Sequence, residues 1–215
     1  MKEDICSIPI NDIFNDNDGC PICRMYELLE SNTVKYILGA AKMEPDIRIQ
    51  TNQKGFCRHH YDKMLASNSR LQLALILETH LEEYQKDSPK EFSAFARSKT
   101  ESCYVCERID FNFERLMRNM FVLFETEAEF REKFRNSPKL CFKHAKLCIS
   151  PTAKKVIKKN YKEFESAVFD IVNKNVEDMC KQLRDFCEMY DYKNAGKAVS
   201  SDAKLSVERA VEFLI

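Results

Sequence analysis

The sequence predicts an all-α protein, a helical bundle made of two fused helical repeats followed by C-terminal helices. Three observations carry that expectation. Only four glycines and six prolines interrupt 215 residues rich in Leu, Lys, Glu, Arg and Met, which are good helix formers. Apolar residues recur at helical spacing, as in Ile109, Phe113, Leu116, Met120 and Phe124. One arrangement of cysteines and histidine occurs twice, 83 to 84 residues apart. A chain of this length buries roughly 70% of its unfolded surface, enough for a sizeable core.

Residues 1–18, acidic and rich in Asn and Asp, read as a flexible lead-in. A first helix spans 20–41, with Tyr26, Leu29, Ile37 and Leu38 among its apolar positions. Residues 44–54, broken by Pro45, read as a connector, and 57–67 as a second helix. Ser69 can cap a third helix running to about Gln85, apolar nearly all round at Leu71 to Leu77 and so buried on most sides. His80 shares the stripe of Leu73, Leu77 and Tyr84 and reads as a hydrogen-bonded core histidine. Ser88 and Pro89 mark a seam, with a short helix from Pro89 to Ser98.

The second copy begins at Cys103 with the Ile109–Phe124 stripe, read as core. Thr126 caps a short helix holding Phe130 and Phe134, and another helix starts near Leu140. Ser150–Pro151 opens a helix whose buried stripe is Ile157, Tyr161, Phe164, Val168 and Ile171. A further helix covers about Val176 to Tyr190. A loop through Gly196 leads to a last helix capped near Asp202, with Val207, Ala210, Val211 and Leu214 inward. The domain reading is 1–18 lead-in, 19–100 first repeat, and 101–215 second repeat with the C-terminal helices, the repeats sharing one core.

Ten cysteines need a chemical reason. The N-terminus, MKEDICSIPINDIF, has no apolar core of signal-peptide length. The longest strongly apolar run, Leu73 to Leu77, is far short of a membrane span. The expectation is a soluble cytoplasmic protein with no membrane contact, where metal binding or thiol chemistry accounts for the cysteines better than a disulfide framework, with free buried thiols or an iron–sulfur cluster as the competing readings. Cys20 and Cys23 of "CPIC" are followed by Cys57 and a histidine of "CRHH"; Cys103 and Cys106 of "CYVC" are followed by Cys141 and His144 of "CFKH". Lys143 stands where the first copy has His59, and His144 where it has His60. The shared pattern is CxxC then CxxH, which selects His60 and puts His59 on the other side of its helix. Three thiolates and one imidazole suit tetrahedral zinc. Two zinc ions are expected, one held by Cys20, Cys23, Cys57 and His60 and one by Cys103, Cys106, Cys141 and His144. Each pair sits where a helix begins, and the positive end of the helix favours thiolate. Cys148, four residues after His144, is the most plausible substitute ligand, but its counterpart Met64 favours packing. Cys180 and Cys187 share one helix face, and Cys6 lies in the lead-in.

Charge is balanced at 34 basic and 34 acidic residues, which speaks against a general polyanion binder. The balance hides ten basic residues and no acid between Lys133 and Lys162. Lys154, Lys155, Lys158, Lys159 and Lys162 could contact nucleic acid; the plainer reading is a solvated helix face. No HExxH, phosphate loop or dinucleotide fingerprint occurs, so the chain does not read as an enzyme. An interaction or scaffold module with an unknown protein partner is expected first. A nucleic-acid binder or a thiol/zinc redox sensor is the alternative.

The combination "CPIC…GFC..H…CYVCE…LCFKH…DYKN…VERAVEFL" resembles a family of bacterial proteins known only as a domain of unknown function. The likeness runs from about Asn17 onward. It implies that Cys20, Cys23, Cys57, His60, Cys103, Cys106, Cys141 and His144 form the family's metal-binding pattern, and it implies no reaction.

Overall fold

Pro21, Pro45 and Pro151 each open a helix, where proline's missing N–H costs nothing and its fixed φ fits. The computed structural model describes residues 8–16, 18–40, 44–86, 101–191 and 200–215. In chain order the helices are α1 (Ile8–Asn15), α2 (Pro21–Leu38), α3 (Pro45–Lys54), α4 (Arg58–Ala66), α5 (Arg70–Lys86), α6 (Tyr104–Thr126), α7 (Ala128–Arg135), α8 (Phe142–Cys148), α9 (Pro151–Val156), α10 (Tyr161–Glu188), α11 (Ser201–Lys204) and α12 (Ser206–Leu214). Among the described residues there is no strand. The chain is all-α, as its composition predicts.

Two compact units divide the chain, and the division does not follow the repeats. One unit is Tyr26–Glu114; the other joins Met1–Met25 to Arg115–Ile215. The first is therefore an insertion within the second, with boundaries inside α2 and α6 rather than at the seam near residue 89. That seam, the Pro89–Ser98 helix, Cys6 and Gly196 lie outside the described residues.

The outer unit is organised by phenylalanines. Phe134 on α7 packs against Phe124 of α6 at 5.4 Å, Phe164 of α10 at 4.9 Å and Phe14 of α1 at 5.7 Å between ring centroids. Residues 8–15 are thus a helix rather than a loose lead-in, because Ile10, Ile13 and Phe14 are buried. The helix opened by Ser150 is shorter than expected. Ser150 accepts a hydrogen bond from the Ala153 N–H, but α9 ends at Val156. Glu125 then accepts the N–H groups of Lys159 and Asn160, turning the chain before α10. Those bonds hold the Glu125 carboxyl below its ordinary range. From Tyr161 the helix continues unbroken to Glu188 and absorbs the separate helix expected at 176–190. Asn175 of α10 is buried and bridges the Leu140 N–H and the Pro138 carbonyl, fixing the approach to α8.

At the C-terminus the inward face differs from expectation. Ser200 caps a short turn, and in α12 Phe213 and Ser206 are buried while Val207, Val211 and Leu214 are exposed. Phe213, the largest apolar side chain available, packs on Phe142 at 4.6 Å and turns the helix around.

The inserted unit has its own core, including Val34, Ile37, Phe56, Met64, Leu73 and Ile109. The expected connector 44–54 is the helix α3, which packs Ile47 against this core and is tied to α5 by polar contacts. Arg48 donates to the Thr79 hydroxyl and Leu75 carbonyl of α5, and Asn52 to the Thr79 carbonyl. Because α5 packs chiefly on α3 and α4, its outer residues Leu71 and Leu81 are exposed, against the expectation of burial on most sides. His80 is buried, as expected of a core residue. No described helix is long and apolar enough to cross a membrane.

Candidate metal centres

Each of the four ligand pairs occupies the same local geometry. Cys57 and Cys141 are the N-caps of α4 and α8, with nearly identical backbones (φ −72°, ψ 163° and φ −71°, ψ 157°). Cys20 and Cys103 stand immediately before α2 and near the start of α6 in the same way. Their carbonyls accept the N–H groups of Arg24, Tyr61, Glu107 and Ala145, the first intrahelical bonds. The second ligand of each pair follows three residues later, in the first turn. A CxxC or CxxH at a helix start therefore aims both side chains at one point beyond the N-terminus, where the helix is partially positive.

The pairs meet crosswise. Cys20 and Cys23 join Cys141 and His144 in the outer unit; Cys57 and His60 join Cys103 and Cys106 in the inserted unit. All eight expected residues are brought into two sets of three cysteines and one histidine, but the expected pairing of Cys20 and Cys23 with Cys57 and His60 is corrected. So is that of Cys103 and Cys106 with Cys141 and His144. Long-range contacts explain the choice. Gly55, at φ 63° and ψ −160°, a conformation open essentially to glycine alone, directs its carbonyl to the Tyr104 N–H at 3.0 Å. The Ser102 hydroxyl donates to the Lys54 carbonyl, and this double link sets Cys57 beside Cys103. In the outer unit Arg24 donates to the Ile13 carbonyl, while α1 packs on α7 and Lys133 donates to Asn11. The start of α2 is thereby held near the start of α8.

The donor geometry fits a tetrahedral ion. Within each set the ligand atoms lie within 4.8 Å of one another. With metal–sulfur bonds near 2.3 Å and metal–nitrogen bonds near 2.0 Å, tetrahedral edges should be about 3.8 Å for S···S and about 3.5 Å for S···N. Cys23–Cys141 and Cys57–Cys106 are each 3.8 Å apart. His144 Nδ1 is 3.1, 3.2 and 3.7 Å from the sulfurs of Cys141, Cys23 and Cys20. His60 Nδ1 is 3.1, 3.3 and 3.5 Å from those of Cys57, Cys103 and Cys106. In both sets the histidine presents Nδ1.

The crowding of the sulfurs explains why a cation suits these sites. Hydrogen bonds from the Cys20 and Cys23 thiols, with a further one from His144, pull the Cys141 thiol far down. The same crowding pushes Cys23 up, through its bonds to Cys141 and Cys20 and through burial. Burial and the Cys103 charge likewise raise Cys106. Burial opposes charge on His144, yet the neighbouring Cys141 and Cys20 sulfurs raise it to about 9. One thiolate is favoured and a second is resisted; only a bound cation lets three sulfurs ionise together.

The two sites differ behind the histidine. Buried Glu30 of α2 places Oε1 3.2 Å from His60 Nε2 and 2.7 Å from His59 Nε2, and its other oxygen pairs with Lys63. Burial alone would raise Glu30, but bonds from Lys63 and His59 hold it below the ordinary carboxylate range. A carboxylate there makes His60 Nε2 the donor, leaving the Nδ1 lone pair aimed at the sulfurs. His59 is not a ligand of that set. Nor does it point away on the far side of the helix: it shares Glu30, its ring 5.0 Å from that of His60. Glu30→Gln is expected to weaken metal binding at the Cys57 site about 10- to 100-fold while leaving the Cys20 site unchanged, as chelator competition would show.

Glu30 and Asn175 carry no motif and were not legible; Gly19 and Gly55, both at φ 63°, stood close before ligand segments and were a usable signal. Cys148 is fully buried beside the outer set without belonging to it, and burial raises its thiol. Lys154, Lys155, Lys158, Lys159 and Lys162 are all exposed, along α9, the turn after it and the start of α10.

Fold and sites together define the class: an all-α protein with two Cys3His clusters that could bind metal ions. The chain belongs to the DUF6062 family, a family of unknown function whose pattern matches residues 1–215. Comparison with curated proteins finds no match, and neither does comparison with solved structures.

Proposed function

We propose that this is a zinc-binding helical module whose two Cys3His sites are structural and whose role is to present a surface to a protein partner. The observation that carries the reading is that the protein supplies four converging donors at each cluster. A tetrahedral ion held this way has no open position for water or substrate, the hallmark of structural rather than catalytic zinc. Three soft thiolates and an imidazole select zinc over harder cations. Two helix N-termini face each ion and offset the net negative charge of three thiolates on a divalent cation.

Elemental analysis of the purified protein tests the metal. Two zinc equivalents per chain are expected, with loss of helical circular dichroism when a strong chelator removes them. Fewer than two, or iron in their place, overturns the reading.

A further inference from the structure

Of the four histidines, His60, His80 and His144 are buried and His59 alone is exposed, with 62% of its side chain open. Its Nε2 nevertheless meets a buried carboxylate. Glu30 Oε1 lies 2.7 Å from His59 Nε2 and 3.2 Å from His60 Nε2, and the three atoms fall within 4.8 Å of one another. Bonds of about 2.0–2.2 Å from a metal to imidazole nitrogen and carboxylate oxygen give donor–donor edges of about 2.9 Å at a right angle and about 3.4 Å in a tetrahedron. Both contacts to Oε1 are close to those edges, and the exposed His59 ring is free to turn and close the third.

Charge favours a cation at this point. Three thiolates on a divalent ion at the Cys57 set leave one negative charge, and the Glu30 carboxylate adds another behind the same imidazole. Lys63, which pairs with the other Glu30 oxygen, offsets only one of the two. Arg58 and Asp62 on the same helix pair with each other, as do Lys54 and Glu107. Exposed Asp110 acts on the same Tyr26 as Glu30 and adds a further negative charge. The outer set lacks this arrangement, because Lys143 stands in the place of His59.

We propose that Glu30, His59 and His60 form a third, reversible metal site, in which a divalent ion such as zinc sits between Glu30 Oε1 and the two Nε2 atoms and shares the His60 imidazole with the ion of the Cys57 set. The proposal rests on the Cys57 set holding zinc. Two imidazoles and one carboxylate select such an ion over magnesium or calcium. Binding expels the His60 Nε2 proton to solvent, leaves that ring an imidazolate between two cations, and moves the His59 proton to Nδ1. Water completes the coordination on the exposed side of His59, so this site is open where the cysteine sets are closed. The like charge of Lys63 keeps the affinity low, which makes the site responsive to rising zinc rather than permanently filled.

Equilibrium dialysis of the two-zinc chain against added zinc tests it. One further equivalent is expected, released again by a weak chelator that leaves the first two. A lost ligand costs at least as much as a lost outer partner, so His59→Ala should raise the dissociation constant of the third ion about tenfold or more, with the two tight ions and helical content unchanged. Lys63→Gln should tighten the third ion about tenfold by removing the like charge. Cobalt in place of zinc reads the shared ring directly. The third equivalent should broaden the electron paramagnetic resonance of the cobalt in the Cys57 set, and should not do so in His59→Ala. A chain that holds two zinc ions and takes no third overturns this site alone; a chain that never holds two overturns the reading beneath it as well. A third equivalent that survives His59→Ala, or that leaves the cobalt spectrum unchanged, also overturns the proposal.

Discussion

Replacing Cys20 and Cys141 together is expected to remove one metal equivalent per chain, the same loss that either replacement causes alone. Replacing Cys20 and Cys57 together is expected to remove both. The reason is the crossed pairing: Cys20 and Cys141 serve one cluster, and Cys57 serves the other. Pairing within each repeat predicts the reverse, a single loss for Cys20 with Cys57 and a double loss for Cys20 with Cys141. The effect on the fold should be large. Apparent zinc binding energies of about 10–16 kcal/mol in small domains equal or exceed the total stability of a typical domain, about 5–15 kcal/mol. Each lost site should therefore unfold much of its unit, visible as a lost thermal transition. Because such variants fold poorly, the native chain offers an independent check. Mildly oxidised while still folded and metal-loaded, so that the sulfurs pair as they release the ion, it should form Cys23–Cys141 and Cys57–Cys106 disulfides, whose sulfurs stand 3.8 Å apart. Peptide mapping that finds Cys23 joined to Cys57 would sink the crossed arrangement.

Phe134→Ala is expected to cost about 3–5 kcal/mol, measured by chemical denaturation of the metal-loaded chain. Phe134 is fully buried and meets three other phenylalanine rings drawn from α1, α6 and α10. Truncation removes contacts to all three at once and leaves a cavity that these rigid rings cannot close. Those same contacts hold α1, and with it the chain leading to Cys20, so weakened metal retention at the outer cluster should accompany the loss. Leu214→Ala, on a side chain 61% exposed, should change stability by less than about 0.5 kcal/mol. A Phe134→Ala cost of that small size would mean that the phenylalanine cluster is not what organises the outer unit.

The helices that carry a stripe were legible: Ile109, Met120 and Phe124 are fully buried, and so are Ile157 and Phe164. Those that fold for other reasons were not. The helix α3 shows no apolar stripe and is held by Arg48 and Asn52 reaching across to α5. Only three buried side chains order α1, in a stretch whose Asn and Asp content reads as loop. In α12 the direction of burial depends on Phe213 finding Phe142, about which the order of residues is silent.

The same division runs through the metal centres. Ligand identity is a local property: a cysteine just before a helix and a cysteine or histidine three residues on converge within a single turn, so all eight donors could be named from spacing. Which pair meets which is not local. The two copies present chemically equivalent halves, and closing a loop of 118 residues from Cys23 to Cys141 costs only about 1 kcal/mol more than one of 34 from Cys23 to Cys57. A difference that small is outweighed by burying one phenylalanine. The pairing therefore rests with Phe14 against Phe134, Gly55 against Tyr104 and Ser102 against Lys54, contacts that exist only once the chain has folded.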